Sequence, residues 1–308
     1  MWVAAVSAFA GIDSTLLNLA MPDAKVLTGI QVDQSLASPF GQDVLSQMEP
    51  GDSDFQKFIQ QTGFDPAHNL HELLGATNSD GSSTSMSAIL LARGAFSPAQ
   101  ILASATAHGG VITSYKGFSI IAPPDAKSNV AIVFLDATTA AAGDTASVQS
   151  AIDRYVAHAK FDTSSPLAQK ALAVAANNQA WFATVTPLSQ FLNGKLGGTG
   201  AGNLSQNNLL QSVEQASGGV QFGSTTIALA ADAVTSSSQN AQSLVDVMKF
   251  LVSMIPSNDP KVASIASQAQ FSVSGSTAHV SLSLAEQQVE QLFMPGSQSK
   301  VRKAAAQR

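Results

Sequence analysis

The sequence predicts an α+β fold, mainly antiparallel or mixed sheets covered by helices, and three observations carry the prediction. Short runs of β-branched, aromatic and small apolar residues recur in pairs, divided by tight-turn residues such as Lys116-Gly117 and Gly223-Ser224. Amphipathic helical runs follow these hairpins instead of separating single strands, which argues against a doubly wound parallel sheet. The order hairpin, helix, helix, strand occurs in 128–185, again in 218–274, and more loosely from Leu70, so an internal duplication of one α+β unit is expected.

Taken in order, MWVAAVSAFAGIDS carries a short apolar run, Trp2 to Phe9, and an Ala8-Phe9-Ala10 box of the type cut on export. Residues 1–10 are read as a signal-peptide remnant, against an ordinary helix or strand. Ala24–Val32 reads as a strand, Ser38-Pro39 opens a helix to Met48, and Asp54–Thr62 forms a second helix stopped by Gly63. Asp65-Pro66 pairs a cap with a first-turn proline and opens a short segment through Leu74. Met86–Ala92 is a strand, and Ser97-Pro98 starts a helix through Ala107 that Gly109-Gly110 ends. Val111–Tyr115 and Phe118–Ala122 flank the Lys116-Gly117 turn.

Val130–Leu135 is apolar without alternation, the pattern of a strand buried on both faces. Thr138–Ala142 returns beside it, Asp144 caps a helix bearing Val148, Ile152, Tyr155 and Val156, and a helix over Pro166–Ala176 precedes a strand over Ala180–Val185. Asn193–Asn203 holds five glycines and almost nothing to bury, so 194–203 reads as a connector between a first α+β domain or half, 11–193, and a second half, 204–294. A helix is expected over Leu204–Ala216.

The stretch Ser217–Pro256 is the most legible. Val220 and Phe222 alternate up to Gly223-Ser224, and Ile227, Leu229, Ala231 and Ala233 share one face of the returning strand. Ser236–Ser238 supply helix-capping hydroxyls, after which Ala241, Leu244, Val245, Met248, Leu251, Val252 and Ile255 form one stripe that Pro256 ends. Val247 and Phe250 on the opposite side imply a second layer over this helix. Lys261–Ala269 reads as a helix, Phe271–Val273 and Ala278–Leu284 as a hairpin about Gly275, Ala285–Phe293 as a last helix, and 295–308 as a flexible basic tail.

The composition excludes several classes of function. The chain of 308 residues is 12% charged, against about 25% in an average soluble domain, so its surface is built from Ser, Thr, Gln and Asn. Formal charge is −6, and with Lys300, Arg302, Lys303 and Arg308 set aside 11 basic residues face 21 acidic ones. Such a body lacks the basic face that phosphate neutralisation needs, so no nucleic-acid partner is expected. The absence of cysteine rules out disulfides and thiolate chemistry, and no apolar run reaches the ~20 residues of a membrane-spanning helix.

The phrases TGFDP (62–66), LARGAF (91–96), FLDATTAAAGD (134–144), SGGVQFG (217–223) and AQSLVDVMKFL (241–251) resemble those of a group of uncharacterised bacterial proteins read as exported. The similarity spans most of the chain. Its phrases are structural, and the resemblance implies export without implying an activity.

Candidate chemistry is sparse. In Asp65-Pro-Ala-His-Asn-Leu-His-Glu, a helix brings His68 over Glu72 with His71 on the adjoining ridge, a donor set suited to a zinc ion. The order is H-x-x-H-E and not H-E-x-x-H, so the spacing places no general base, and a polar helix face with a local ion pair accounts for the same residues. No G-x-S-x-G occurs, Ser297–Lys300 falls in the tail, and the glycines of 197–202 lack the strand before and the G-K-[ST] after that a phosphate loop requires. No cofactor is expected. The reading is an exported, periplasmic or extracellular protein acting by binding or assembly through a protein partner or self-association; the alternative is a hydrolase-type enzyme around His68, His71 and Glu72.

Overall fold

The structure, a computed structural model, describes residues 11–48, 53–78, 87–124, 129–187, 210–253 and 264–293. The expectations for 1–10, for the glycine-rich connector, for the tail and for part of Lys261–Ala269 lie outside them. Twelve strands form one antiparallel sheet: β1 (Val26–Gln31), β2 (Leu70–Thr77), β3 (Ala88–Gly94), β4 (Val111–Tyr115), β5 (Phe118–Ala122), β6 (Val130–Phe134), β7 (Thr139–Asp144), β8 (Ala180–Thr184), β9 (Val213–Phe222), β10 (Thr226–Thr235), β11 (Gln270–Ser274) and β12 (Thr277–Ala285). Their spatial order is β11-β12-β10-β9-β8-β1-β2-β3-β7-β6-β5-β4. β8 and β9, on either side of the glycine-rich stretch, pair directly, Ala180 opposite Val220 through Thr184 opposite Ala216.

The helices are α1 (Ser14–Leu19), α2 (Val32–Ala37), α3 (Pro39–Met48), α4 (Ser53–Thr62), α5 (Pro66–Asn69), α6 (Pro98–Ala107), α7 (Thr145–Val156), α8 (Pro166–Ala175), α9 (Ser238–Ser253) and α10 (Glu286–Phe293). Side-chain oxygens satisfy several starts. Asp13 accepts from Thr15 and Leu16 N–H, Asp144 from Ser147 N–H, and Ser165 from Ala168 N–H, so the donors left over by the first turns are used.

The helices do not all lie on one side of the sheet. Leu27, Leu74, Leu91, Val133, Trp181 and Ala183 share one face and pack under α1, α7 and α8 with Leu16, Val148, Ile152, Leu167 and Ala171. Towards β9–β12 the cover changes sides. Ala216, Ala233 and Ala278 belong to the opposite face by register, and they pack against Ala241, Leu244 and Val245 of α9. On that same side Val289 of α10 and Phe40 of α3 close over Ile227 and Leu284, with Phe40 stacked on Phe222 at 5.8 Å.

Four expectations are corrected. The helix expected after Asp65 stops at Asn69, and Leu70–Thr77 is a central strand. Val213–Ala216 is the start of β9 and not the end of a helix. Val130–Val133 alternates between exposed and buried, because only Ala131 and Val133 face the helix-covered core, and Phe134 is half-buried against Phe96. Among the described residues no second layer covers α9: Phe250 is 61% exposed. The duplication is not confirmed, since the helices of the two units, α7–α8 and α9, lie on opposite faces of the sheet.

Candidate functional site

The residues proposed from sequence do not share a face. His68 ends α5 and its Nδ1 meets the capping Asp65 carboxylate at 2.7 Å, while the His71 ring pairs with Asp33 of α2 at 3.1 Å. The register shifts between Leu70 and Glu72, leaving His71 as the extra residue of a bulge. Glu72 turns to the helix-covered face and is buried. Among the described residues no group of three or more His, Asp and Glu side chains is placed to hold a metal ion.

Glu72 belongs instead to a polar row crossing four strands, Gln31, Glu72, Arg93 and Thr139, at the end of the helix-covered face. Its carboxylate accepts the Asp13 N–H at 3.0 Å, and the Gln31 amide donates to the Gly11 carbonyl, so the row ties the chain's entry into α1 onto the sheet. Burial pushes the Glu72 carboxyl above its ordinary range, against hydrogen bonds from Asp13 and Gln31 that pull it down. Arg93 donates to the Thr138 and Thr139 hydroxyls, both at 2.9 Å, and lies 3.7 Å from Asp13. Beside it the Tyr155 hydroxyl donates to Asp136 at 2.9 Å. Burial pushes the Asp136 carboxyl up, but bonds from Thr138 and Tyr155 outweigh it and hold it low. The groups of this row satisfy one another. The chemistry they support is tethering.

The second feature is the uncovered side of β4–β8. Pairing carries one cross-strand row through the whole sheet: Ile112, Ile121, Ile132, Ala142, Leu90, Gly75, Thr28, Phe182, Gly218, Ala231, Val280 and Phe271. Its last members lie under α9. Towards one end of β6 and β7 this side is closed by Phe134 packed on Phe96, which meets Phe64 and, through it, Phe58 of α4. Beyond that cluster Ile112, Ile132, Leu90 and Phe182, with Ile30 on the adjoining row, are 37–46% exposed. A Cβ on Gly218 would stand 2.8 Å from the Phe182 ring, so glycine there lets the ring lie along the sheet. None of these side chains is charged.

The other uncovered area has the opposite character. On the reverse side of β10–β12, register places Asp232, His279, Ser272, Ser281 and Gln270 together, with the His279 ring 2.5 Å from the Asp232 carboxylate. Sequence reasoning missed the apolar area because a strand with apolar residues on both sides reads as one buried on both sides. The signal was present in Val130, Ile132 and Leu90, but the choice between a covered and an uncovered face depends on where the helices dock.

No family model and no curated protein matches the chain. Similar solved structures are crystal forms of TP0453, a Treponema protein of uncertain function. Form III aligns with a TM-score of 0.55 at 12% identity over 90% of this chain and 96% of that one. Form IV gives 0.54 at 12% over 93% and 98%, and form I gives 0.51 at 10% over 92% and 98%. At that identity the likeness is one of fold, shared with an uncharacterised bacterial protein. Among the described residues no helix is long and apolar enough to cross a membrane.

Proposed function

We propose that this chain is an exported binding or assembly protein whose working surface is the uncovered apolar side of β4–β8, and that its occupant is the apolar stripe of a helix on a protein partner. One observation carries the reading. Where the sheet is left bare on the β10–β12 side it is polar, with Asp232, His279 and Ser281, whereas the bare side of β4–β8 presents Leu90, Ile132, Ile30 and Phe182. Exposed apolar area of this kind costs solubility and is kept where something docks. The helical occupant is argued from continuity: the same side of the sheet, over β9–β12, is covered by α9 laying Ala241, Leu244 and Val245 on Ala216, Ala233 and Ala278. Export rests on the low charge content and on the Ala8-Phe9-Ala10 box.

The test uses a fluorescent helical peptide with leucines at i, i+3, i+4 and i+7, read by anisotropy against the wild-type chain and against Leu90→Lys/Phe182→Lys. Binding that falls at least about tenfold in the double variant, with an unchanged circular-dichroism spectrum, is the expected result, since a lysine on a desolvated face is costly. Equal binding by both proteins overturns the reading.

A further inference from the structure

We infer that β4 is a self-pairing edge, and that two copies of this chain join antiparallel along it about Thr113 to form one continuous sheet. β4 is the last strand of the twelve, with Val111, Ile112, Thr113 and Ser114 all exposed. Edges in soluble proteins are commonly blunted by proline, lysine or a bulge, and Val111–Tyr115 has none of these. The opposite edge differs, because β11 is Gln- and Ser-rich and its Phe271 and Val273 are already packed under α9.

The register follows from the β4–β5 turn. Lys116 and Gly117 both have positive φ, 49° and 86°, the two-residue turn that makes Tyr115 and Phe118 a hydrogen-bonded pair. Alternation then makes Thr113 and Ile120 a hydrogen-bonded pair, and Ile112 and Ser114 the residues whose N–H and C=O groups point outward, with no partner among the described residues. A second β4 running antiparallel about Thr113 sets Ile112 opposite Ser114 of the second copy, and the reverse, giving four backbone hydrogen bonds around the two-fold axis. Val111 then lies beside Tyr115 of the second copy. Lys116 and Gly117 meet Gly110 and Gly109, which present no side chain to obstruct them. No like charges oppose one another along the junction. The two-fold axis stands perpendicular to the sheet, so the apolar row running from Ile112 through Ile132 and Leu90 continues from one copy into the next on the same side. Five residues a side make a small contact, so the dimer is concentration-dependent.

The absence of cysteine from the chain allows a test by single substitutions in the full-length protein. The axis makes Thr113 its own partner in a non-hydrogen-bonded pair, where Cα atoms approach to about 4.5 Å, within disulfide range. The two Val111 positions stand about 13 Å apart along the strand, out of range. Under mild oxidation Thr113→Cys is expected to cross-link at least about tenfold faster than Val111→Cys. In sedimentation velocity the wild type shifts from monomer towards dimer with concentration. Ile112→Pro, which removes an outward N–H and leaves the β5 ladder intact, stays monomeric with an unchanged circular-dichroism spectrum. Equal cross-linking at 111 and 113, a wild type that stays monomeric, or a dimer that survives Ile112→Pro overturns the inference. None of these outcomes touches the peptide-binding reading, which uses the face of the sheet and not its edge.

Discussion

Glu72 is a carboxylate held away from water by the strap that leads into α1, and its titration follows from that position. Burial raises its folded pKa above the ordinary value, so the folded protein binds this proton more tightly than the unfolded chain does. Unfolding at a pH between the two values releases a proton. Stability from this group is therefore fully present below the unfolded pKa and is lost as pH rises through the folded one. Arg93 and Asp13 act on the same carboxylate with opposite signs and leave that direction unchanged. Glu72→Gln keeps an oxygen to accept the Asp13 N–H and removes the charge, so its stability relative to wild type is expected to increase as pH rises from about 4 towards neutrality. Urea unfolding at a series of pH values checks this, and curves that stay parallel would remove the assignment. The histidines beside it were visible as a cluster in sequence, yet only the structure separates them. His68 belongs to a helix cap, His71 to a bulge facing Asp33, and Glu72 to the buried row, because the chain changes from helix to strand at Leu70.

Within one strand, β3 compares the two sides of the sheet with the same side chain. Leu91 is fully buried under α1 and α7, while its neighbour Leu90 is 46% exposed on the uncovered side. Leu91→Ala is expected to cost about 2–5 kcal/mol, the range for leucine deletions that leave a cavity. Leu90→Ala, which opens no cavity, is expected to cost about 1 kcal/mol or less on the area it removes from water. Denaturant midpoints of the two variants give the ratio, and equal losses would mean that the uncovered side is covered in solution. This asymmetry also marks the limit of what could be read from the chain. Elements with local signals were legible: the β4–β5 hairpin from Lys116-Gly117, α7 from Asp144, α8 from Pro166 onward, and the β9–β10 turn from Gly223. β2 and the start of β9 were not, because His71-Glu72 and Glu214-Gln215-Ala216 carry helical preference, and pairing on both flanks overrides it. The uncovered face could not be read locally, since Val130 and Val133 look alike until helices settle over one of them.

Across the molecule, the sheet changes its covered side where β8 meets β9, and that junction decides whether the chain unfolds as one unit. A strand pair joins the two parts, with Phe182 lying over Gly218, and α8 packs against β8, β9 and β1 alike. Packing of this kind couples the core around Leu27 and Leu74 to the core under α9, although the two share no side of the sheet. Trp181 reports on the first of these. It is buried on β8, and the other tryptophan, Trp2, can be replaced with phenylalanine to make it the single fluorophore. Val245 of α9 lies in the second core and is 1% exposed. Removing its two methyl groups in Val245→Ala is expected to cost on the order of 2 kcal/mol. If the sheet folds cooperatively across β8–β9, that loss shifts the Trp181 fluorescence midpoint and the far-ultraviolet circular-dichroism midpoint by the same amount, as two-state behaviour requires. A fluorescence midpoint that stays in place while part of the dichroism signal moves would divide the chain into two units at the side change, and would assign the β8–β9 pairing to docking between them.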